Sequence, residues 1–337
     1  MREFIIGPNE AGQRLDKYLK KILPNASSGF LYKMLRKKNI TCNKAKMTGR
    51  EQVKKGDKIQ VFFSEETLQK FMQDSEVLQV EYELLKGLPM KGIQVVYEDE
   101  DILLADKPYN MLSQKAKEND FSANEYLLGY LIRSGSLELE DFTSFRPSVC
   151  NRLDRNTTGL LLMGKSLKGS QMLSQALKDR TIRKFYRALV VGEVKERAHL
   201  SGYLRKDERT NKVEILSIDT GMASDDLQEG ERAALHQKLE DASYIETAYE
   251  PVAYRNGVTE LEIHLITGRT HQIRAHLASI GHPIIGDMKY GDEKVNHDYY
   301  EAYHVTHQLL HAFRLEFPDG RAFMAPLPKL FDFIMKG

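Results

Sequence analysis

Apolar positions along the chain change period several times, and each change marks an element. Between Gly12 and Leu23 (GQRLDKYLKKIL) they recur at Leu15, Tyr18, Leu19 and Ile22. That is the i, i+3, i+4, i+7 spacing of one helix face, and the opposite face is basic. Pro24 and Asn25 stop this helix, and Ser27 or Ser28 can cap a second, GFLYKMLRKKN. The second helix is predicted to bury Leu31, Met34 and Leu35 and to expose Lys33, Arg36, Lys37 and Lys38. A short strand follows over 40–43, then a turn at Lys54-Lys55-Gly56-Asp57 and a closing strand over 58–63. Residues 64–90 are acidic and weakly periodic and read as a linker with some local structure. Beyond them, strands over 93–97 and 102–105 flank an acidic turn, and residues 122–134 read as a helix before a loop over 135–147. The unbroken apolar run Leu160–Met163 predicts a buried strand, and 166–178 a helix with Met172, Leu173 and Leu177 inward. TIRKFYRALVVGEV alternates as a strand does. A further strand over 261–266 ends at Thr267-Gly268. The helix after it carries Ile273, Leu277 and Ile280 on its apolar face and stops at Gly281 and Pro283. The last stretch predicts two strands around Pro318-Asp319-Gly320.

Composition adds bounds. A chain of 337 residues is long enough for two domains, and 29% charged with 41% hydrophobic residues is ordinary for a globular protein. Cys42 and Cys150 are far apart and make no metal spacing, which predicts reduced thiols in the cytoplasm. No apolar stretch approaches the roughly 18 residues of a membrane span. MREFIIGPNE lacks the shape of a signal peptide. The net charge of +1 conceals an asymmetry: residues 1–60 hold 15 Lys and Arg against 5 Asp and Glu. A basic module on a mildly acidic body predicts a polyanion-binding appendage. The stretch 219–246, with 8 acidic and 2 basic residues, reads as an exposed acidic insertion, of which EGERAALHQKLED could be helical.

The chemistry concentrates in 148–166, SVCNRLDRNTTGLLLMGKS, where Asp154 stands between Arg152 and Arg155 ahead of a Thr-Thr-Gly turn. A loop feeding a buried strand exposes the carboxylate while the strand fixes it. A carboxylate held beside cations is oriented, as a nucleophile must be. The tripeptide alone reads more readily as an ion pair closing a turn. The longer string resembles the HRLDxxTSGLLL motif of the RluA family of RNA pseudouridine synthases. Asn151 replaces the common His and Thr158 the usual Ser. Three further segments are similar to the same family: the strand pair running into Lys107-Pro108, with Asn110 at a Gly position; Lys184-Phe185-Tyr186-Arg187-Ala188, like its KxYxA segment; and LITGRTHQIRAHLA, like its TGRTHQIRxHLA. RLDKYL…LYKMLRKKNITCN…VKKGDKIQVF resembles the alpha-L (S-four-type) RNA-binding domain of a ribosomal protein and of tyrosyl-tRNA synthetases.

These resemblances imply an α+β protein: an RNA-binding module at 1–63, a linker at 64–90, and a mixed, mostly antiparallel catalytic domain with flanking helices at 91–337. They imply conversion of uridine to pseudouridine, with large-subunit (23S) ribosomal RNA or its precursor as the expected partner. Asp154 is the implied nucleophile, Tyr186 the tyrosine against the target base, and Arg274 the arginine that pairs with the Asp, with Arg269 as second choice. Arg152 is expected to fill the space a flipped base leaves. Arg155, Thr158, Arg269 and His271 are further expected RNA contacts. In the module, Arg14, Lys17, Lys33, Arg36, Lys37, Lys38 and Lys44 are expected on phosphates. The strand pair before Lys107 is assigned no chemistry beyond shaping the cleft wall. The implied chemistry needs no metal, redox group or other cofactor. His271 and His276 also lie on different faces of their helix with no third ligand beside them. A cytoplasmic monomer with no membrane contact is expected. Three readings compete: a non-catalytic ribosome-assembly protein, the same chemistry on tRNA, and glycoside hydrolysis. The last lacks a convincing second carboxylate.

Overall fold

The structure is a computed structural model that describes residues 1–207, 212–216 and 242–336, without the side chain of Thr143. The expected acidic insertion lies outside the described residues as far as 241, and 242–246 begin a strand. Helices lie beside a sheet of mixed, mostly antiparallel pairing, so the class is α+β.

The chain divides into two compact units, the first formed by 1–104, 114–151 and 162–175. Its N-terminal part is a three-stranded antiparallel sheet, ordered β1 (Arg2–Ile5), β3 (Lys58–Val61), β2 (Ile40–Cys42). Helices Leu15–Ile22 and Ser28–Arg36 join it in one apolar core. Leu15, Tyr18, Leu19 and Ile22 are buried as their spacing requires. Ser27, rather than Ser28, is the cap of the second helix, accepting from Phe30 N–H at 3.2 Å. Residues 64–90, expected as a linker, form two helices, Glu65–Phe71 and Ser75–Lys86. Each is capped, by Ser64 and by Asp74, and acidic residues in each first turn suit the helix dipole. The second packs against helix Ala123–Arg133 so closely that a Cβ on Gly129 would fall 2.2 Å from the Leu85 carbonyl oxygen. The expected loop at 135–147 contains one further short helix, Leu139–Ser144. In helix Leu167–Lys178 the buried stripe runs through Gly169 and Leu173, and Leu177 is half-buried. Met172 sits one position off that stripe and is 40% exposed, contrary to the inward placement expected for it.

The second unit, 105–113, 152–161 and 176–337, is built on one sheet. Its strand order is β10 (Lys212–Leu216), β9 (Ala198–Asp207), β11 (Ala242–Arg255), β12 (Val258–Leu265), β8 (Arg183–Val191), β13 (Leu310–Glu316), β7 (Thr158–Gly164). Every pairing in that order is antiparallel except β13 with β7, where His311 faces Thr158 and Ala312 faces Gly159. β14 (Ala322–Met324) returns along β13 after the Pro318-Asp319-Gly320 turn, as the sequence predicts. The helix Lys329–Lys336, not foreseen, buries Phe331 and Ile334. Gly159 has φ +109°, and a Cβ there would lie 2.3 Å from the Ala312 carbonyl oxygen. Only glycine lets the two strands meet at this point.

Candidate active site

The loop 152–157 ends in the fully buried strand β7 and is held from below by the segment 107–113. Lys107 has no exposed surface, and its ammonium donates to the carbonyls of Pro108 (2.9 Å), Met111 (2.9 Å) and Arg155 (3.1 Å). Burial draws that ammonium down to about 7, with Asp154 and Asp106 pulling the other way. The Ser113 hydroxyl donates to Leu153 O and accepts from Leu153 N–H, each at 2.9 Å. Asn110 adopts φ +55°, the left-handed turn conformation that Asn tolerates. This segment, expected only to shape the wall, is therefore the brace of the Asp154 loop. Sequence reading missed Lys107 because its acceptors are carbonyls, which no side-chain pattern reveals. The one signal was a lysine ending the otherwise apolar strand Ile102–Lys107.

Asp154, 27% exposed at its side chain, accepts from Arg274 Nη1 at its Oδ2 at 2.8 Å. The rest of the Arg274 fork is spent on Asp287: Nε reaches Oδ2 at 2.7 Å and Nη2 reaches Oδ1 at 2.8 Å. The Asp287 side chain is fully buried and also accepts from the backbone N–H groups of Lys289 and Tyr290. Burial would push the Asp287 carboxyl up, but Arg274 and the two amides outweigh it and hold it below the usual range. Burial likewise opposes the Arg274 charge, and the Asp287 and Asp154 carboxylates more than restore it. One planar guanidinium thus ties a surface carboxylate to a buried one. Asp287 was absent from the expected set, although it lies 13 residues beyond Arg274, directly after the apolar Ile284-Ile285-Gly286.

A pocket forms over this pair, lined by Arg152, Leu153, Asp154 and Thr157 of the loop, Tyr186, Leu265, Leu310 and residues 268, 269 and 271–274. Tyr186 projects from β8 with 6% exposure. Burial, and then the charge of Asp154, raise its hydroxyl well above the ordinary value, so it is protonated at neutral pH. His271 caps helix Gln272–Ser279 in a left-handed conformation, with Nε2 at 4.0 Å from Asp154 Oδ2. Gln272 fastens the turn before that helix: it accepts from Thr267 Oγ1 (2.8 Å) and Arg269 N–H (3.0 Å) and donates to Glu246 O (2.8 Å) and Thr247 Oγ1 (2.9 Å). That helix is buried on all sides from Gln272 to Leu277, not only along Ile273 and Leu277, because its polar residues carry the site.

The expected site residues divide on this geometry. Asp154, Tyr186, Arg274, Arg152, Arg269 and His271 share the pocket. Thr158, expected on RNA, is buried on β7 with its hydroxyl on His311 Nδ1 at 2.7 Å, so it braces the sheet. The Arg155 side chain is exposed outside the lining residues, and its carbonyl serves Lys107. In the N-terminal module Arg14, Lys17, Lys33, Arg36, Lys37, Lys38 and Lys44 are all exposed, with Arg14 paired to Asp16 at 2.7 Å. Asn151, at the family's His position, accepts from Leu162 N–H at 2.7 Å.

Comparison with known proteins gives this pocket its setting. The family model described as RNA pseudouridylate synthase matches residues 101–279, which span the Asp154 loop, Tyr186 and Arg274. The chain belongs to the RNA pseudouridine synthase family. An RNA pseudouridine synthase of Mycoplasma genitalium, itself called uncharacterised, is 27% identical over 94% of this chain and 89% of its own. Ribosomal large subunit pseudouridine synthase C of Rickettsia prowazekii is 30% identical over 84% of this chain and 83% of its own. The solved human RNA pseudouridylate synthase domain containing 4 superposes with a TM-score of 0.54 at 19% identity, covering 75% of this chain and 95% of that one. The likeness to the human protein is one of fold. The chain is an RluA-type RNA pseudouridine synthase with RNA as its substrate. Among the described residues, no helix is long and apolar enough to cross a membrane.

Proposed function

We propose that this pseudouridine synthase acts in the cytoplasm on uridines of large-subunit (23S) ribosomal RNA, with Asp154 as its nucleophile. The observation that carries the reading is the Arg274 fork, which joins Asp154 to the buried Asp287 on the floor of a pocket walled by Tyr186. A nucleophile must be held while its substrate moves, and this carboxylate is anchored to the core through one rigid cation. The reaction breaks the bond from C1′ to N1, turns the uracil within the pocket, and forms a bond from C1′ to C5. The C5 proton leaves, and N1 gains one. A uridine in a stem must first leave its stack, and Arg152 fills the gap while Tyr186 lies against the flipped ring. Arg269 holds phosphate or a base edge. Residues 1–63 are an alpha-L module, supported by their exposed lysines and by an apolar core that also takes in Leu68 of the next helix; 64–90 connect it to a catalytic domain over 91–337. Large-subunit RNA is favoured by that module and by the name of the Rickettsia relative. The enzyme works as a monomer without a cofactor.

A pseudouridine map of total RNA tests this reading. Cells lacking the gene are compared with the same cells carrying wild type or Asp154→Ala. Loss of a few large-subunit sites, restored by wild type alone, is the expected result. Lost sites confined to tRNA would move the substrate. Restoration by the alanine variant would remove Asp154 from the reaction.

A further inference from the structure

Tyr290 touches three members of the site at once. Its backbone N–H donates to Asp287, its ring centroid lies 5.2 Å from the Arg274 guanidinium carbon, and its hydroxyl lies 3.0 Å from His271 Nδ1. The Tyr290 oxygen already accepts from the backbone N–H of Val213 at 2.9 Å. The hydroxyl still has its proton to give, and given to His271 it makes Nδ1 the acceptor. A neutral imidazole whose Nδ1 accepts carries its proton on Nε2. Nε2 is the ring atom that faces Asp154 Oδ2, at 4.0 Å.

We propose that Tyr290 is a positioning residue that selects the His271 tautomer, so that an N–H at Nε2 is presented to Asp154. The proposal rests on Asp154 being the nucleophile. Two donors, Arg274 Nη1 and His271 Nε2, then converge on the same carboxylate oxygen, Oδ2, and leave Oδ1 as the oxygen that reacts. The 4.0 Å separation is a polar contact that tightens to a hydrogen bond when the pocket fills, as catalytic contacts in empty sites do. The opposite tautomer would turn a lone pair toward the carboxylate and repel it. His271 stands at the start of its helix in a left-handed conformation, φ +55°, which His adopts more readily than most residues with a Cβ. Burial favours the neutral forms of both rings, lowering His271 and raising Tyr290 from their ordinary values.

The test has a spectroscopic and a kinetic arm. Long-range proton–nitrogen correlation spectra of nitrogen-15-labelled protein read the tautomer directly. Wild type is expected to show Nε2 protonated and Nδ1 bare, and Tyr290→Phe, which keeps the ring over Arg274, to show a mixture. A protonated Nδ1 in wild type would overturn the proposal. The kinetic arm follows tritium released from C5 of ribosomal RNA labelled with [5-tritium]uridine in cells lacking the gene. Tyr290→Phe should lower kcat roughly tenfold with KM within about twofold of wild type. His271→Gln keeps a donor toward Asp154, and adding Tyr290→Phe to it should cost nothing more. Additive losses, or an unchanged kcat, would count against Tyr290 acting through His271. Absence of release by wild type itself would unseat the ribosomal RNA reading and leave the tautomer to be judged on its spectrum.

Discussion

At the scale of single residues, the site is a problem of burying charge. Arg274 is 8% exposed at its side chain and is balanced by two carboxylates, one fully buried. Removing one partner from such an arrangement leaves an uncompensated charge in the interior, which costs ~3–5 kcal/mol. Arg274→Lys keeps the charge but loses the fork, since one ammonium cannot serve three carboxylate oxygens in a plane. We expect kcat/KM in tritium release to fall on the order of a hundredfold, because Asp154 is no longer held at its angle. The melting temperature should fall with it, and a variant matching wild type in both would show that the bridge is dispensable. Asp154, Tyr186 and Arg274 could be picked out in the sequence because each stands inside a short, distinctive string. Asp287 and Lys107 could not. Their partners are a guanidinium 13 positions away and a carbonyl 48 positions away, and neither separation follows a helix or strand period.

At the scale of elements, sheet contacts set the limits. β7 can lie parallel to β13 only because residue 159 has no Cβ, so Gly159→Ala meets both a carbonyl oxygen and a left-handed backbone. We expect a loss of ~2–3 kcal/mol or more in stability by urea titration. A stable alanine variant would mean that the strands can separate without penalty. The amphipathic helix Leu15–Ile22 and the strand Arg183–Val191 were legible because one face of each is wet and the period shows. The helices of 64–90 were less so, since apolar Val77, Val80 and Leu84 are exposed and blur the stripe of Leu78, Tyr82 and Leu85. In helix Gln272–Ser279 the pattern found the helix and its Ile273 and Leu277 face but not the burial of the other: Gln272, Arg274 and His276 are buried, and polarity no longer marks the outside.

For the whole molecule, pH is the variable that reaches furthest. His276 and His311 are almost fully buried, and burial lowers both imidazoles to about 4. As pH falls from about 6.5 toward 4, the unfolded chain takes up these two protons and the folded protein does not, so folding stability declines. Each group accounts for ~3 kcal/mol over that window, and below it the loss is complete. Urea midpoints should therefore drop between pH 7 and pH 4.5, and the double variant His276→Gln, His311→Gln should flatten the dependence. An equal drop in both proteins would place the acid sensitivity elsewhere. The order of motifs was readable because each is a local string, and the fold class followed from the family those strings resemble. The seating of β13 between β7 and β8 was not, because it joins residues more than a hundred positions apart.

That seating also sets a timetable. During synthesis the loop bearing Asp154 and the strand bearing Tyr186 emerge long before Leu310–Glu316, the strand that lies between them. Every side chain assigned to the reaction is therefore present in the nascent chain while the sheet that spaces them still lacks its middle. A chain cut off before Leu310 would carry the loop of Asp154 and the strand of Tyr186 with nothing to space them.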